Sequence, residues 1–165
     1  MAKRVAYYGI FSALAILMGY VERLIPISIA VPGIKLGLAN VVILIVIYFM
    51  GNKEGLWISF VRIIMSGLLF SGFAGFLYSL AGAILSYILM VFLKKFDSIS
   101  IMGVSIAGGI AHNIGQIIVA CLVVQNWKLI YYLPILLISG VATGILVGIT
   151  AKYALNYLNK ANIKL

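Results

Sequence analysis

His112, Asn113 and Gln116 stand close together in the segment Gly108-Gly109-Ile110-Ala111-His112-Asn113-Ile114-Gly115-Gln116, which is otherwise small and apolar. On a helix His112 and Gln116, spaced i, i+4, share a face, and Asn113 lies one step round it. An imidazole and two amides there make a hydrogen-bonding surface, and the small residues beside it let a flat ligand or another backbone come close. Arg62 is the second group with chemistry. It lies inside an apolar run and shares a helical face with Ser59 and Ser66. No carboxylate is an obvious partner for it in the sequence. Either a bound anion supplies the missing charge, or the guanidinium bonds to backbone carbonyls or snorkels towards water. The third group is Val31-Pro32-Gly33-Ile34-Lys35-Leu36-Gly37-Leu38-Ala39-Asn40, a Pro-Gly turn followed by one lysine and one amide at the mouth of a long apolar run. Lys35 and Asn40 there either mark the water boundary or face a ligand, and an inward Lys35 offers a point charge for a carboxylate or phosphate. The neighbours Glu22 and Arg23, at the end of the first apolar run, read as a local ion pair at headgroup level.

The sequence lacks the residues for several kinds of catalysis. It has no glycine-rich loop ending in Gly-Lys-Ser/Thr, so ATP hydrolysis of the P-loop kind is excluded. Its three acidic residues are dispersed, which leaves no paired carboxylates and no site for a magnesium-bound diphosphate. Neither a Cys/His metal cluster nor a Ser/His/Asp set is evident. The expectation is a protein that is not an enzyme and carries no metal or cofactor of its own. Cys121 is the only cysteine, so no intrachain disulfide is available.

These residues need a scaffold, and composition indicates which. The 165-residue chain is 65% hydrophobic and 9% charged, with a mean hydropathy of +1.23, far too apolar for one water-soluble core. The fold expected is an all-α integral membrane bundle of six transmembrane helices, broken at polar or Gly/Pro clusters. The spans read as Val5–Ile25, Ile34–Met50, Leu56–Phe70, Phe73–Leu93, Ile101–Val124 and Leu129–Leu158, in a single transmembrane domain. Met1-Ala2-Lys3-Arg4 resembles the start of a signal peptide, but no small-residue cleavage site follows, so the first run reads as a retained helix.

The net charge of +9 would suggest nucleic acid in a soluble protein, yet here the basic residues sit at helix ends, where they meet anionic lipid headgroups. Lys3, Arg4, Lys53, Lys94, Lys95, Lys152, Lys160 and Lys164 fall on the side of the N-terminus. Only Arg23, Lys35 and Lys128 fall on the other. That asymmetry predicts both termini in the cytoplasm and places Pro26–Gly33, the longest external connection, outside as a lid or a plain connector.

Small residues form stripes. Gly140, Gly144 and Gly148 read as a helix-packing face, with Gly75, Ser79, Gly82, Ala83 and Ser86 as a looser version, and Ala2, Ala6, Gly9 and Ala13 put small residues on the cytoplasmic half of the first helix.

Together these features resemble the substrate-binding S component of energy-coupling factor transporters. More narrowly, Val31–Asn40, the glycine-rich Phe70–Ser86 region and Ala111-His112-Asn113-x-x-Gln116 are similar to the Gx transporter family, often labelled component I of heptaprenyl diphosphate synthase. The resemblance covers nearly the whole chain. It implies capture of a small vitamin- or cofactor-like molecule, anionic or amphipathic, from outside a bacterial cytoplasmic membrane, in an outer pocket capped by the first loop. The candidate contacts are Lys35, Asn40, Arg62, His112, Asn113 and Gln116. It also implies a transmembrane coupling subunit and two ATPases as partners, with Ala6, Gly9 and Ala13 on the coupling face, although Gly9 replaces the usual alanine. The alternative is a non-transporting membrane partner or scaffold of a redox or isoprenoid enzyme. The synthase label implies prenyl chemistry, for which the sequence lacks aspartate-rich motifs.

Overall fold

The structure, a computed structural model, describes residues 2–25 and 37–161. The elements are helical throughout: α1 (Ala2–Leu24), α2 (Leu38–Phe49), α3 (Asn52–Ser66), α4 (Gly72–Leu93), α5 (Ile101–Val124) and α6 (Leu133–Lys160). A π turn at Gly67–Ser71 joins α3 to α4, and a 3-10 turn at Trp127–Tyr132 precedes α6. The expected lid Pro26–Gly33 and the candidate Lys35 lie outside the described residues.

Polarity is turned inside out relative to a soluble protein. Ser59, Ser86, Ser105, His112, Asn113 and Gln116 are buried, whereas Leu68, Phe73, Ile138 and Trp57 are exposed. Such a surface is satisfied by hydrocarbon and not by water. The stretches Lys3–Leu24, Asn52–Leu93, Ile101–Val124 and Trp127–Lys160 are each long and apolar enough to cross a membrane, and α2 is a shorter apolar helix. The chain is a multi-pass membrane protein.

The stretch Asn52–Leu93 does not run straight. Tyr87 Oη donates to the Asn52 carbonyl oxygen, and Lys94 Nζ donates to Asn52 Oδ1 at 3.2 Å. The start of α3 therefore lies beside the end of α4, and the two helices form an antiparallel hairpin. Its reversal is made at Gly72, whose φ of 64° and ψ of 175° suit glycine. Lys94 Nζ also donates to the Ile47 carbonyl at 2.5 Å and stands 5.0 Å from the Tyr48 ring centroid, so one cation closes the C-terminal end of α2.

Helix boundaries differ from those read in the sequence mainly where local chemistry intervenes. The third helix starts at Asn52, four residues before the expected Leu56, because Gly51 with φ of 130° turns the chain straight out of α2. Glu54 then sits in the first turn of α3, where a carboxylate complements the helix dipole. The last helix starts at Leu133 with Pro134 in its first turn, while the expected start at Leu129 is a 3-10 turn whose Asn126 side chain accepts from Lys128 N at 3.0 Å.

Helix α5 is the centre of the bundle, packed on α4 at one side and α6 at the other. The stripe Gly140, Gly144 and Gly148 is spent on this contact: a Cβ on Gly144 would stand 2.6 Å from the Ile106 Cα, and one on Gly148 2.8 Å from the Met102 Cα. Helices α1, α2 and α6 enclose a second layer, in which Leu44, Val46 and Ile47 of α2 meet Phe11, Ala15, Val147, Ala151 and Leu155. In α1, Ala6, Gly9 and Ala13 point away from this layer and are exposed, and a Cβ on Gly9 would meet nothing within 4 Å.

Candidate functional site

Asn40, Arg62, His112, Asn113 and Gln116 all line one cavity of about 880 Å³, in the size range of small-molecule sites. The cavity lies at the bundle end where α1 stops, α2 starts and the α3–α4 hairpin reverses. The first turns of α1 and the last turns of α6 lie at the other end, since Tyr7 and Phe11 pack on Phe49 and Gly148 packs on Met102.

Helix α5 supplies the hydrogen-bonding wall. His112, Asn113 and Gln116 are 7%, 7% and 9% exposed. Their burial follows from Gly82 and Gly115, which bring α4 and α5 together: a Cβ on Gly82 would stand 2.8 Å from the His112 carbonyl oxygen, and one on Gly115 2.7 Å from the Ala81 carbonyl oxygen. Asn113 has a structural duty as well. Its Nδ2 donates to the Leu136 carbonyl at 2.6 Å and to Ser139 Oγ at 3.4 Å, tying α5 to α6 at the cavity wall. Gln116 lines the cavity with no hydrogen bond to the described residues.

Arg62 enters from α3, one turn before the π turn. Its Nε is buried and has no hydrogen-bond partner, so the guanidinium is not saturated by backbone carbonyls. Burying a cation this way costs several kcal/mol unless a charge or a ligand compensates it. Glu22, which lines the same cavity, is turned inwards from the end of α1. The sequence reading of Glu22 and Arg23 as a local headgroup pair is thus corrected. Glu22 Oε1 accepts a hydrogen bond from Gly37 N at 2.7 Å, because Gly37, with φ of 75°, turns its N–H back towards α1 ahead of the first turn of α2. Arg23 remains exposed at the cavity rim.

The other lining residues make the site amphipathic. Ile63, Phe70, Ile117 and Leu136 supply apolar wall, and Tyr78 and Tyr132 add aromatic rings with polar tips. Tyr78 is absent from the sequence candidates, although it stands one turn before Gly82 on the glycine-rich face of α4. Glu22 was assigned elsewhere, because only the fold brings Gly37 to it. Ser66, read as sharing a face with Arg62, does line the cavity, whereas Ser59 is buried away from it.

A buried cation, an imidazole, two amides and aromatic walls in one cavity can hold a small amphipathic molecule by hydrogen bonds and one charge. Among the described residues no three His, Cys, Asp or Glu side chains gather as a metal-binding set. Neither a curated protein nor a solved structure shows significant similarity to the chain. Residues 11–155 match the family described as heptaprenyl diphosphate synthase component I, and the chain belongs to that family.

Proposed function

We propose that this chain is the substrate-binding membrane subunit, or S component, of an energy-coupling factor type transporter. In this reading six helices span the bacterial cytoplasmic membrane, both termini are cytoplasmic, and the cavity opens outwards to capture a small vitamin- or cofactor-like molecule that is anionic or amphipathic. The chain does no chemistry of its own. A transmembrane coupling subunit docks on the exposed Ala6, Gly9 and Ala13 face of α1, and two ATPases supply the energy. The observation that carries the reading is the unpartnered buried Nε of Arg62 in the same cavity as His112, Asn113 and Gln116. Mass spectrometry of purified protein is the test: small molecules released on denaturation are expected from the wild type and lost from Arg62→Ala and Gln116→Ala. Full occupancy in both variants refutes the site.

The family description favours a second reading, a non-transporting membrane partner of a prenyl diphosphate synthase. Purification from native membranes separates the two. A coupling subunit with an ATPase pair supports transport, while a synthase subunit without ATPases supports the scaffold.

A further inference from the structure

Gln116 is 9% exposed, and its carboxamide bonds to none of the described residues. Its Oε1 and Nε2 are nonetheless accessible, and the space they reach is the cavity. Inside a membrane bundle an amide left unbonded raises the free energy, and a molecule that bonds both of its polar atoms lowers it. The stem of the side chain lies against the backbone of α4, where a Cβ on Gly82 would stand 2.9 Å from the Gln116 Cγ. Turning about the last bond only exchanges the two polar atoms. The α5 wall therefore presents one donor and one acceptor side by side in a plane.

Asn113, one turn earlier, adds an acceptor of fixed orientation. Its Nδ2 donates to the Leu136 carbonyl oxygen at 2.6 Å, and a carbonyl oxygen can only accept. The nitrogen must be the atom turned to α6, which leaves Asn113 Oδ1 with no donor among the described residues. The walls nearby suit a flat ring: Gly75 of α4 and Gly109 of α5 border the cavity without side chains, and Phe70 and Tyr78 border it with rings. A carboxamide pairs at two points with a planar group that carries a donor and an acceptor side by side, as glutamine and asparagine do with the edge of a base. The N–H and C=O of a lactam or imide make such a group.

We infer that Gln116 is a specificity-determining residue: it reads the N–H and C=O edge of a flat ring that carries a lactam or imide, with Asn113 Oδ1 taking a second donor of the same molecule. This rests on the reading of the cavity as a site for a small anionic or amphipathic ligand held at Arg62. A body without an N–H or O–H leaves both acceptors unpaired and is rejected, since a site built to bond a donor discriminates strongly against the analogue that lacks it.

The test uses the purified full chain in detergent, with thermal unfolding followed as orotate or N,N′-dimethylorotate is titrated against wild type, Gln116→Met and Arg62→Gln. The two probes share ring and carboxylate, so the comparison does not depend on the total charge of the cavity. They differ in the two N–H groups that methylation removes. Wild type is expected to reach half-saturation at an orotate concentration about thirtyfold below that of the dimethyl compound, the effect of two net hydrogen bonds. Methionine keeps an unbranched stem beside Gly82 and removes the amide, so Gln116→Met should retain a preference of only about fivefold, the share of Asn113. Arg62→Gln should respond to neither probe. Equal response of wild type to both probes, or a preference undiminished in Gln116→Met, overturns the role of Gln116 while Arg62-dependent binding stands. No response in any of the three proteins overturns both the inference and the anion-binding reading beneath it. Identification of the molecules released by wild-type protein gives a second arm: a ring amide supports the inference, and an anion without an N–H donor refutes it while leaving the site.

Discussion

Gly109 of α5 and Gly140 of α6 meet so closely that a Cβ on Gly109 would stand 2.6 Å from the Gly140 carbonyl oxygen. The obstacle is backbone, so it cannot swing aside as a side chain end would. Gly109 also lines the cavity one turn before Asn113. Separation of α5 from α6 at this point would strain the Asn113 hydrogen bond to Leu136.

Gly109→Ala is accordingly expected to destabilise the protein by roughly 1–3 kcal/mol, the usual cost of overpacking a filled contact. It should be seen as a lower midpoint of thermal unfolding in detergent. Gly9→Ala is the control, since its Cβ would meet nothing within 4 Å. Alanine is the better helix former there, and the midpoint should hold or rise slightly. Equal losses in the two variants would contradict the packing assigned to the α5–α6 interface.

Asn113 calls for a different measurement, because it is both a tie between helices and a cavity wall. Asn113→Ala removes the 2.6 Å bond to the Leu136 carbonyl, which still accepts from Ser139 Oγ at 2.8 Å. The acceptor is not orphaned, so the stability cost should stay near 1 kcal/mol, the ordinary size of an interhelical hydrogen bond within a membrane bundle. The double variant with Ser139→Ala removes both side-chain donors but leaves the carbonyl its intrahelical donor in α6, so it should lose no more than the sum of the single changes. A thermal-unfolding double-mutant cycle reads the coupling directly.

The reversal of the α3–α4 hairpin isolates backbone strain from packing. Gly72 has φ of 64°, and a Cβ there would meet nothing within 4 Å, so Gly72→Ala adds no clash. Its expected cost, about 1–3 kcal/mol, is conformational alone. Because Phe70, Ser71 and Gly75 flank this turn and line the cavity, occupancy by co-purified small molecules should fall in parallel with the unfolding midpoint. A variant as stable as the wild type would show that the reversal does not depend on a glycine.

How far these features could be read in the sequence depended on their range. Local spacing was enough to put His112, Asn113 and Gln116 on one face, and the break at Ser71-Gly72 was visible as a polar and glycine pair. Arg62 was conspicuous as a charge within an apolar run. Asn40 and Arg62 fall on the same cavity as the α5 triad because α2 and α3 both approach α1, a tertiary fact with no local signature. Glu22 shows the limit most clearly. Its neighbour Arg23 offers an obvious partner in sequence, but a helix directs consecutive side chains about 100° apart. One of the two turns to the Gly37 amide inside and the other to the rim. The π turn at Gly67–Ser71 was equally hidden: a Cβ on Gly67 would stand 2.6 Å from Phe76 Cδ2 of α4, a contact without a local signature.

The exposed small-residue face of α1 gives the last prediction, and it depends on the transport reading. Ala6, Gly9 and Ala13 are exposed at helical spacing, whereas Gly19 of the same helix lies 3.7 Å, counted from an added Cβ, from Ser66 Oγ of α3. Small residues that the chain does not use for its own packing allow a foreign helix to approach closely. Gly9→Leu and Ala13→Leu should therefore leave the unfolding midpoint of the isolated chain unchanged, as well as the small-molecule occupancy of its cavity. They should reduce co-purification of a coupling subunit and its ATPases from native membranes by about tenfold or more, the effect of a clash worth some 1.4 kcal/mol at the interface. Ile10→Leu, a volume-conserving change on an exposed neighbour, should leave the assembly intact. If Ile10→Leu dissociates the assembly and Ala13→Leu does not, the partner approaches α1 on another side.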